Sequence, residues 1–143
     1  MTDESPAMLV DTSASIPLLI PTHASHDAVV EKIGDLGLGL AGHALFETYS
    51  VLTRLPAPSR CSPSAARQLI EANFPLSRFL EPAAMAGVLA DLTAHGIAGG
   101  ATYDGLVAAA ASAYSLPLAT RDLRAARTYE ALGVDVRYLA LGS

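Results

Sequence analysis

Four acidic residues stand where an α/β chain can bring them together. Asp11 directly follows the apolar run Met8 to Val10, and Asp122 closely follows a second run, Leu116 to Ala119. Asp104 lies near the start of an alanine-rich stretch, and Glu47 lies within HALFETYSVLTRL. In an open α/β sheet, ligands collect outside the carboxyl ends of the strands. Asp11 and Asp122 would both be delivered to that edge. Four carboxylates held within a few ångströms would repel, and at least one would stay protonated. A hard divalent cation removes the conflict. Mg²⁺ favours oxygen ligands, keeps several waters and binds through one or two carboxylates plus substrate phosphate. Such a cluster suits phosphodiester hydrolysis, one ion activating the attacking water and a second stabilising the leaving oxygen. Asp11, Glu47, Asp104 and Asp122 are therefore read as one site for divalent metal.

Each acid alone also has an ordinary explanation. Aspartate caps helix N-termini and sits well at the positive end of the helix dipole, which suits Asp11, Asp104 and Asp122. Glu47 alone reads as a solvated helix residue. The joint placement is what favours a site.

Other chemistries find less support. Cys61 is the only cysteine, so no internal disulfide is possible. There is no cysteine cluster and no HExxH to hold zinc. His23 and His26 are three apart but have no further ligands nearby. No GxGxxG follows the first strand, no GxxxxGK[ST] occurs, and there is no GxSxG elbow. The net charge of −5 argues against binding nucleic acid by overall charge. A phosphate bridged by metal remains possible, because the ions supply the positive field. Arginine supplies eight of the nine bases, a bias that a GC-rich genome would also produce.

The elements that must position these acids can be read from pattern. After the strand Met8 to Val10, a short helix should start near Ser13 as N-cap and run to about Leu19, with Pro17 in its first turn. A second helix fits His26 to Asp35, and Gly37 to Ala41 is a weak, glycine-rich strand. Ala44 to Leu55 reads as a helix with Leu45, Leu52 and Leu55 on one face and Glu47 off that stripe. Ser62-Pro63 opens a helix to about Asn73, Ser77 to Leu80 reads as a short strand, and Glu81-Pro82 opens a helix closed by His95-Gly96. Next come a helix from about Tyr103 to Tyr114, the strand Leu116 to Ala119, a helix from Asp122 to Leu132 with Gly133 as its stop, and a last strand within Val134 to Leu139. Strands alternate with helices, so the expected architecture is α/β with a parallel sheet.

The 143 residues suit one domain spanning 1–143 with the first seven frayed, and 51% hydrophobic content suffices for a core. No apolar run approaches the ~18 residues of a membrane span. The acidic N-terminus lacks the basic start of a signal peptide, so a cytoplasmic protein without membrane contact is expected.

At this point the motifs resemble a known family. MLVDTSASIPLL resembles the opening strand and DTS motif of PIN-domain ribonucleases, and HALFETYSVLTRL their second, acid-bearing helix. TYDGLVAAAA is similar to the family's Y-D-x-L-[IV]-A-A-x-A helix, and LATRD to its L-x-T-x-D strand end. LRAARTYEALGVDVRYL resembles the C-terminal part of VapC-type toxins. The resemblance covers nearly the whole chain and implies a three-layer α/β/α sandwich. It implies a Mg²⁺- or Mn²⁺-dependent endoribonuclease with Asp11, Glu47, Asp104 and Asp122 on the acidic positions. Read by position alone, Arg121, Arg124 and Arg127 could flank the site and hold RNA phosphates, or equally be solvated or paired with Glu130 and nearby acids, while the resemblance implies that Thr12 and Thr120 support the metal shell. It also implies a small antitoxin whose C-terminal segment covers the site in a groove made by the early helices, and a homodimer or toxin–antitoxin hetero-oligomer. The glycine-rich second strand, which precedes the Glu47 helix, departs from the family's branched residues. Two alternatives stay open: an inactive PIN-like binding module, and an RNA-processing PIN nuclease without an antitoxin.

Overall fold

Residues 7–140 are described by a computed structural model. In chain order its elements are β1 (Ala7–Val10), α1 (Thr12–Leu19), α2 (His26–Ile33), β2 (Gly37–Leu40), α3 (His43–Arg54), α4 (Pro63–Asn73), α5 (Pro82–Met85), α6 (Val88–Ala94), α7 (Ala101–Ala113), β3 (Leu118–Thr120), α8 (Leu123–Ala131) and β4 (Val136–Tyr138). Ala7 lies in β1 rather than in a frayed end, and the rest of that expected segment, 1–6, falls outside the described residues.

All strands pair in parallel in the order β2-β1-β3-β4. Leu9, Val10, Leu40, Leu118, Ala119 and Thr120 are fully buried, as strands covered on both faces must be. The alternation of elements predicts this parallel α/β sheet, and the family resemblance implies the three-layer sandwich that it forms. The chain leaves β1 toward β2 on one side and leaves β3 toward β4 on the other. Parallel crossovers are right-handed, so a crevice opens at the carboxyl ends of β1 and β3, the usual place for a ligand in such sheets. Asp11 and Asp122 lie there.

Several expectations are corrected. The cap of α1 is Asp11, not Ser13, and its side chain accepts the N–H of Ala14. Pro17 lies inside α1 rather than in its first turn. Proline has no N–H for the carbonyl four residues back. That carbonyl, of Ser13, instead accepts a hydrogen bond from Arg121 Nη1 at 3.1 Å. Ser77 to Leu80 forms no strand. The segment follows β2 through Leu76 N–H to Leu38 O (3.0 Å) and Arg78 N–H to Leu40 O (3.1 Å), but only an Ala41–Arg78 bridge is regular. The helix expected from Glu81 to His95 is split into α5 and α6 around Ala86-Gly87.

On α3 the fully buried stripe is Ala44, Thr48 and Leu52, while Leu45 and Leu55 are half-buried. Thr48 tolerates burial because its hydroxyl pairs with that of Ser15 at 2.7 Å. Both residues are fully buried, so this contact pins α1 to α3 and sets which way Glu47 faces. Gly133 has φ +81°, as expected of a glycine ending α8.

Candidate active site

Asp11 follows the last residue of β1 and is 5% exposed. Its Oδ1 accepts from Ser13 Oγ at 2.6 Å and from the Ala14 N–H at 3.3 Å, and its Oδ2 accepts from the Tyr129 hydroxyl at 2.8 Å. Burial pushes this carboxyl above the ordinary carboxylate value, although Ser13, Thr120, Tyr129 and the Ala14 N–H pull the other way. Asp122 caps α8, accepting the N–H groups of Arg124 (3.0 Å) and Ala125 (3.2 Å). Asp104 makes no cap bond and occupies the first turn of α7. Thus two of the three aspartates cap helices and also line the same crevice, and the two roles are compatible.

Glu47 and Asp104 are half-buried. Burial raises the pKa of each, and neighbouring acids add to it: Asp104 and Asp11 act on Glu47, and Asp122 and Asp11 act on Asp104. His43 opposes the shift at Glu47, and Arg124 opposes it at Asp104. Asp11, Glu47, Asp104 and Asp122 line one cavity of about 160 Å³ together with Thr12, Ser13, Arg124 and Tyr129.

Two larger clefts hold no such cluster. One, of about 340 Å³, lies between α6 and α7 and includes Asp91 and His95. The other, of about 330 Å³, is apolar and lined by Phe46, Phe79, Leu80, Met85 and Leu106. Of the early helices only α3 contributes to this groove.

The donors facing the acid cavity are oxygens, which suits a hard cation. Thr12 Oγ1 is buried there without a hydrogen-bond partner, an orphaned donor set beside acids whose charge is poorly tolerated. Among the described residues no three His, Cys, Asp or Glu side chains form a ready-made ligand set around one point. An ion held by one or two carboxylates, with water completing its shell, does not require one. The oxygen donors of the cavity therefore suit a hard divalent cation.

Thr120 is fully buried at the end of β3. Its hydroxyl accepts the Asp122 N–H at 3.1 Å and pairs with Ser13 Oγ at 3.2 Å. It ties the end of β3 to the first turn of α1 and does not line the cavity.

The arginines separate. Arg121 points into the protein: Nη1 bonds Ser13 O, Nη2 bonds Ser25 Oγ at 3.0 Å, and its backbone N–H bonds Ser13 Oγ at 2.8 Å. It locks α1 to the β3–α8 turn and is half-buried. Arg124 lines the cavity with its Nη2 3.6 Å from Asp122. Arg127 is exposed on α8 and does not line the cavity.

Sequence reasoning missed Tyr129 and gave Ser13 no role at the site. Tyr129 shares the buried face of α8 with Ala125 and Ala126 and is 1% exposed. A buried tyrosine hydroxyl needs a partner, and that need was the available signal. Tyr129→Phe leaves Asp11 Oδ2 without its donor. Urea unfolding of the metal-free variant should show a loss of about 1–3 kcal/mol, the cost of stranding a buried acceptor. An unchanged midpoint would remove the phenol from the site.

Comparisons with known proteins agree with this geometry. The family profile described as PIN domain matches residues 8–131. Ribonuclease VapC27 of Mycobacterium tuberculosis is 47% identical over 131 residues, covering 92% of this chain and 96% of the relative. Ribonuclease VapC40 of the same organism is 42% identical over 128 residues, covering 88% and 94%. Among solved structures, FitAcB from Neisseria gonorrhoeae superposes with a TM-score of 0.62 at 25% identity, over 90% of this chain and 95% of that one. The sarcin–ricin loop cleaving toxin VapC20 of M. tuberculosis superposes at 0.65 with 20% identity, over 91% and 98%. At that identity the likeness speaks to the fold alone.

Proposed function

The chain belongs to the PIN-domain family, on its VapC-type toxin branch, and we propose that it is a metal-dependent endoribonuclease neutralised by a small antitoxin. The observation that carries this reading is the single cavity lined by Asp11, Glu47, Asp104 and Asp122 at the carboxyl ends of β1 and β3. Relatives at 47% and 42% identity that bear the name ribonuclease support it. Bound there, Mg²⁺ or Mn²⁺ would activate water and neutralise the charge that develops on a phosphodiester.

The residues of the chain do the positioning. Asp11 and Asp122 are fixed by the helices they cap. Ser13 and Tyr129 orient the two oxygens of Asp11, so its Oδ1 and Oδ2 cannot rotate freely. The Ser15–Thr48 bond sets the face of α3 that carries Glu47. Arg124, at the cavity edge, is the cation placed to meet an RNA phosphate.

An antitoxin fits the apolar cleft beside the cavity. Phe46 and Phe79 stand 61% and 43% exposed there, ring centroids 6.2 Å apart. Exposed apolar surface of this kind accepts the apolar face of a partner segment. VapBC2 of Rickettsia felis, solved bound to a fragment of promoter DNA, has the same fold at a TM-score of 0.66, with 11% identity over 94% of this chain and 99% of that one. The assembly proposed is a homodimer or a toxin–antitoxin hetero-oligomer in the cytoplasm. Among the described residues no helix is long and apolar enough to cross a membrane.

Cleavage of a panel of structured RNAs with Mg²⁺, Mn²⁺ or EDTA tests the activity. Cutting that EDTA abolishes is the expected outcome, and cutting that survives EDTA would overturn metal dependence. Thermal unfolding tests the ion itself. The acids with raised pKa bind more protons folded than unfolded. The metal-free protein therefore loses stability as pH rises from about 4 through their raised values. A bound cation cancels that penalty, so the rise in Tm on adding Mn²⁺ should grow with pH across the same window. A metal-induced shift independent of pH would place the ion elsewhere.

A further inference from the structure

The acids account for metal and phosphate, yet none of the contacts above holds a base. Cations at the cavity are few. Arg121 is bonded inside the protein, and Arg124 already faces Asp122. Phosphate contacts ordinarily dominate affinity for nucleic acid, and a chain of net charge −5 with one cation at its cavity needs another source.

Two aromatic rings supply a candidate. His43 and Tyr103 stack with centroids 5.1 Å apart and planes inclined by 23°. Both are tied to the acids through the chain. His43 lies one helical turn before Glu47 on α3, near enough to act on its carboxyl charge. Tyr103 immediately precedes Asp104 on α7. One face of the Tyr103 ring rests on His43, while the residue keeps 52% of its surface exposed. A ring so exposed gains little from core packing, and His43, which lines the apolar cleft, holds it flat one residue along α7 from Asp104.

We propose that Tyr103, backed by His43, is a stacking platform for an unpaired nucleobase next to the scissile phosphate. The inference rests on the ribonuclease reading and deepens it. In A-form helices the bases are paired and their major-groove edges lie out of reach, whereas bases in loops and ends can be splayed onto aromatic rings. Every base has a π-face, so such a platform tolerates sequence and selects for unpaired geometry. A base seated on Tyr103 would bring its neighbouring phosphate toward Asp104 and Glu47.

The test is a cycle between protein and RNA. Wild type, Tyr103→Leu and Tyr103→Phe are compared by kcat/KM with Mn²⁺ on one loop RNA. The same RNA is then made abasic at one position at a time around the cut. Tyr103→Leu should lose about 5- to 150-fold, the range for one base–aromatic stack. Tyr103→Phe should restore most of that loss, since the ring and not the hydroxyl is required. Removing one particular base should cost wild type a similar factor and cost Tyr103→Leu almost nothing more. Losses that multiply at every position, or Leu and Phe variants that behave alike, would overturn the platform while leaving the nuclease intact. Failure of wild type to cut any RNA under any metal would overturn the ribonuclease reading, and the platform with it.

Discussion

Asp11→Asn and Asp104→Asn are expected to lower RNA cleavage by on the order of 10²–10³-fold or more, the scale of losing one preorganised stabiliser of transition-state charge. The same variants should leave the metal-free protein as stable as wild type, or more so. Asp11 is buried with a carboxyl that burial pushes upward, so its charge at neutral pH is a cost rather than a support. Asparagine keeps Oδ1 for Ser13 and Ala14 and still serves as an N-cap. Its amide can donate to Tyr129 Oη, and rearranging that single hydrogen bond costs about 1 kcal/mol. Asp104 is half-buried and feels Asp122 and Asp11, so neutralising it relieves repulsion. Activity should fall while the metal-free Tm holds or rises, and the Tm gain on adding Mn²⁺ should vanish. If the variants cut within a few-fold of wild type, the acids are caps and nothing more, and the inactive binding module becomes the better account. If they unfold like core lesions, the carboxylates serve the fold.

Gly39→Ala should destabilise the protein by about 3 kcal/mol, at or beyond the upper end of ordinary overpacking. A Cβ at Gly39 would lie 2.2 Å from the backbone C and O of Leu76 and 2.5 Å from Ser77 N. No side chain can swing aside to relieve that contact. The Leu76–Arg78 segment is bound to β2 through Leu38 O and Leu40 O, and Ser77 Oγ accepts the Leu40 N–H at 2.9 Å. Moving it therefore breaks several bonds at once. The disturbance reaches the site as well, because Gly42 N–H bonds Arg78 O at 2.7 Å and Gly42 leads directly into α3 and Glu47. Urea unfolding measures the first effect and cleavage by the folded fraction the second. A loss below about 1 kcal/mol would mean that the segment yields easily, and its close packing on β2 would no longer explain the glycine.

That glycine marks a division between what the chain states locally and what it does not. The glycine-rich run was legible as a departure from ordinary strand composition, but its reason lies in a backbone 37 residues away. Signals that act over one helical turn or one strand were readable from the residues alone. The Ser62-Pro63 start of α4, the Gly133 stop of α8 and the Asp122 cap all stand as expected, since a cap or a fixed φ is decided by neighbours within four residues. The placement of Asp11 and Asp122 at one sheet edge was equally readable, because strand–acid–helix order delivers each residue there whatever packs above it. Other features depended on contacts about 30 to 120 residues apart. Tyr129 reaches Asp11 across 118 positions, and Arg121 is drawn inward to a carbonyl that Pro17 leaves open. Thr48 finds Ser15, and this turns Glu47 to the crevice rather than to solvent. Periodicity can report that a side chain is buried or exposed. Which polar group receives its hydrogen bond is decided only when the helices meet, because burial makes an unpaired partner costly and leaves few arrangements that satisfy them all.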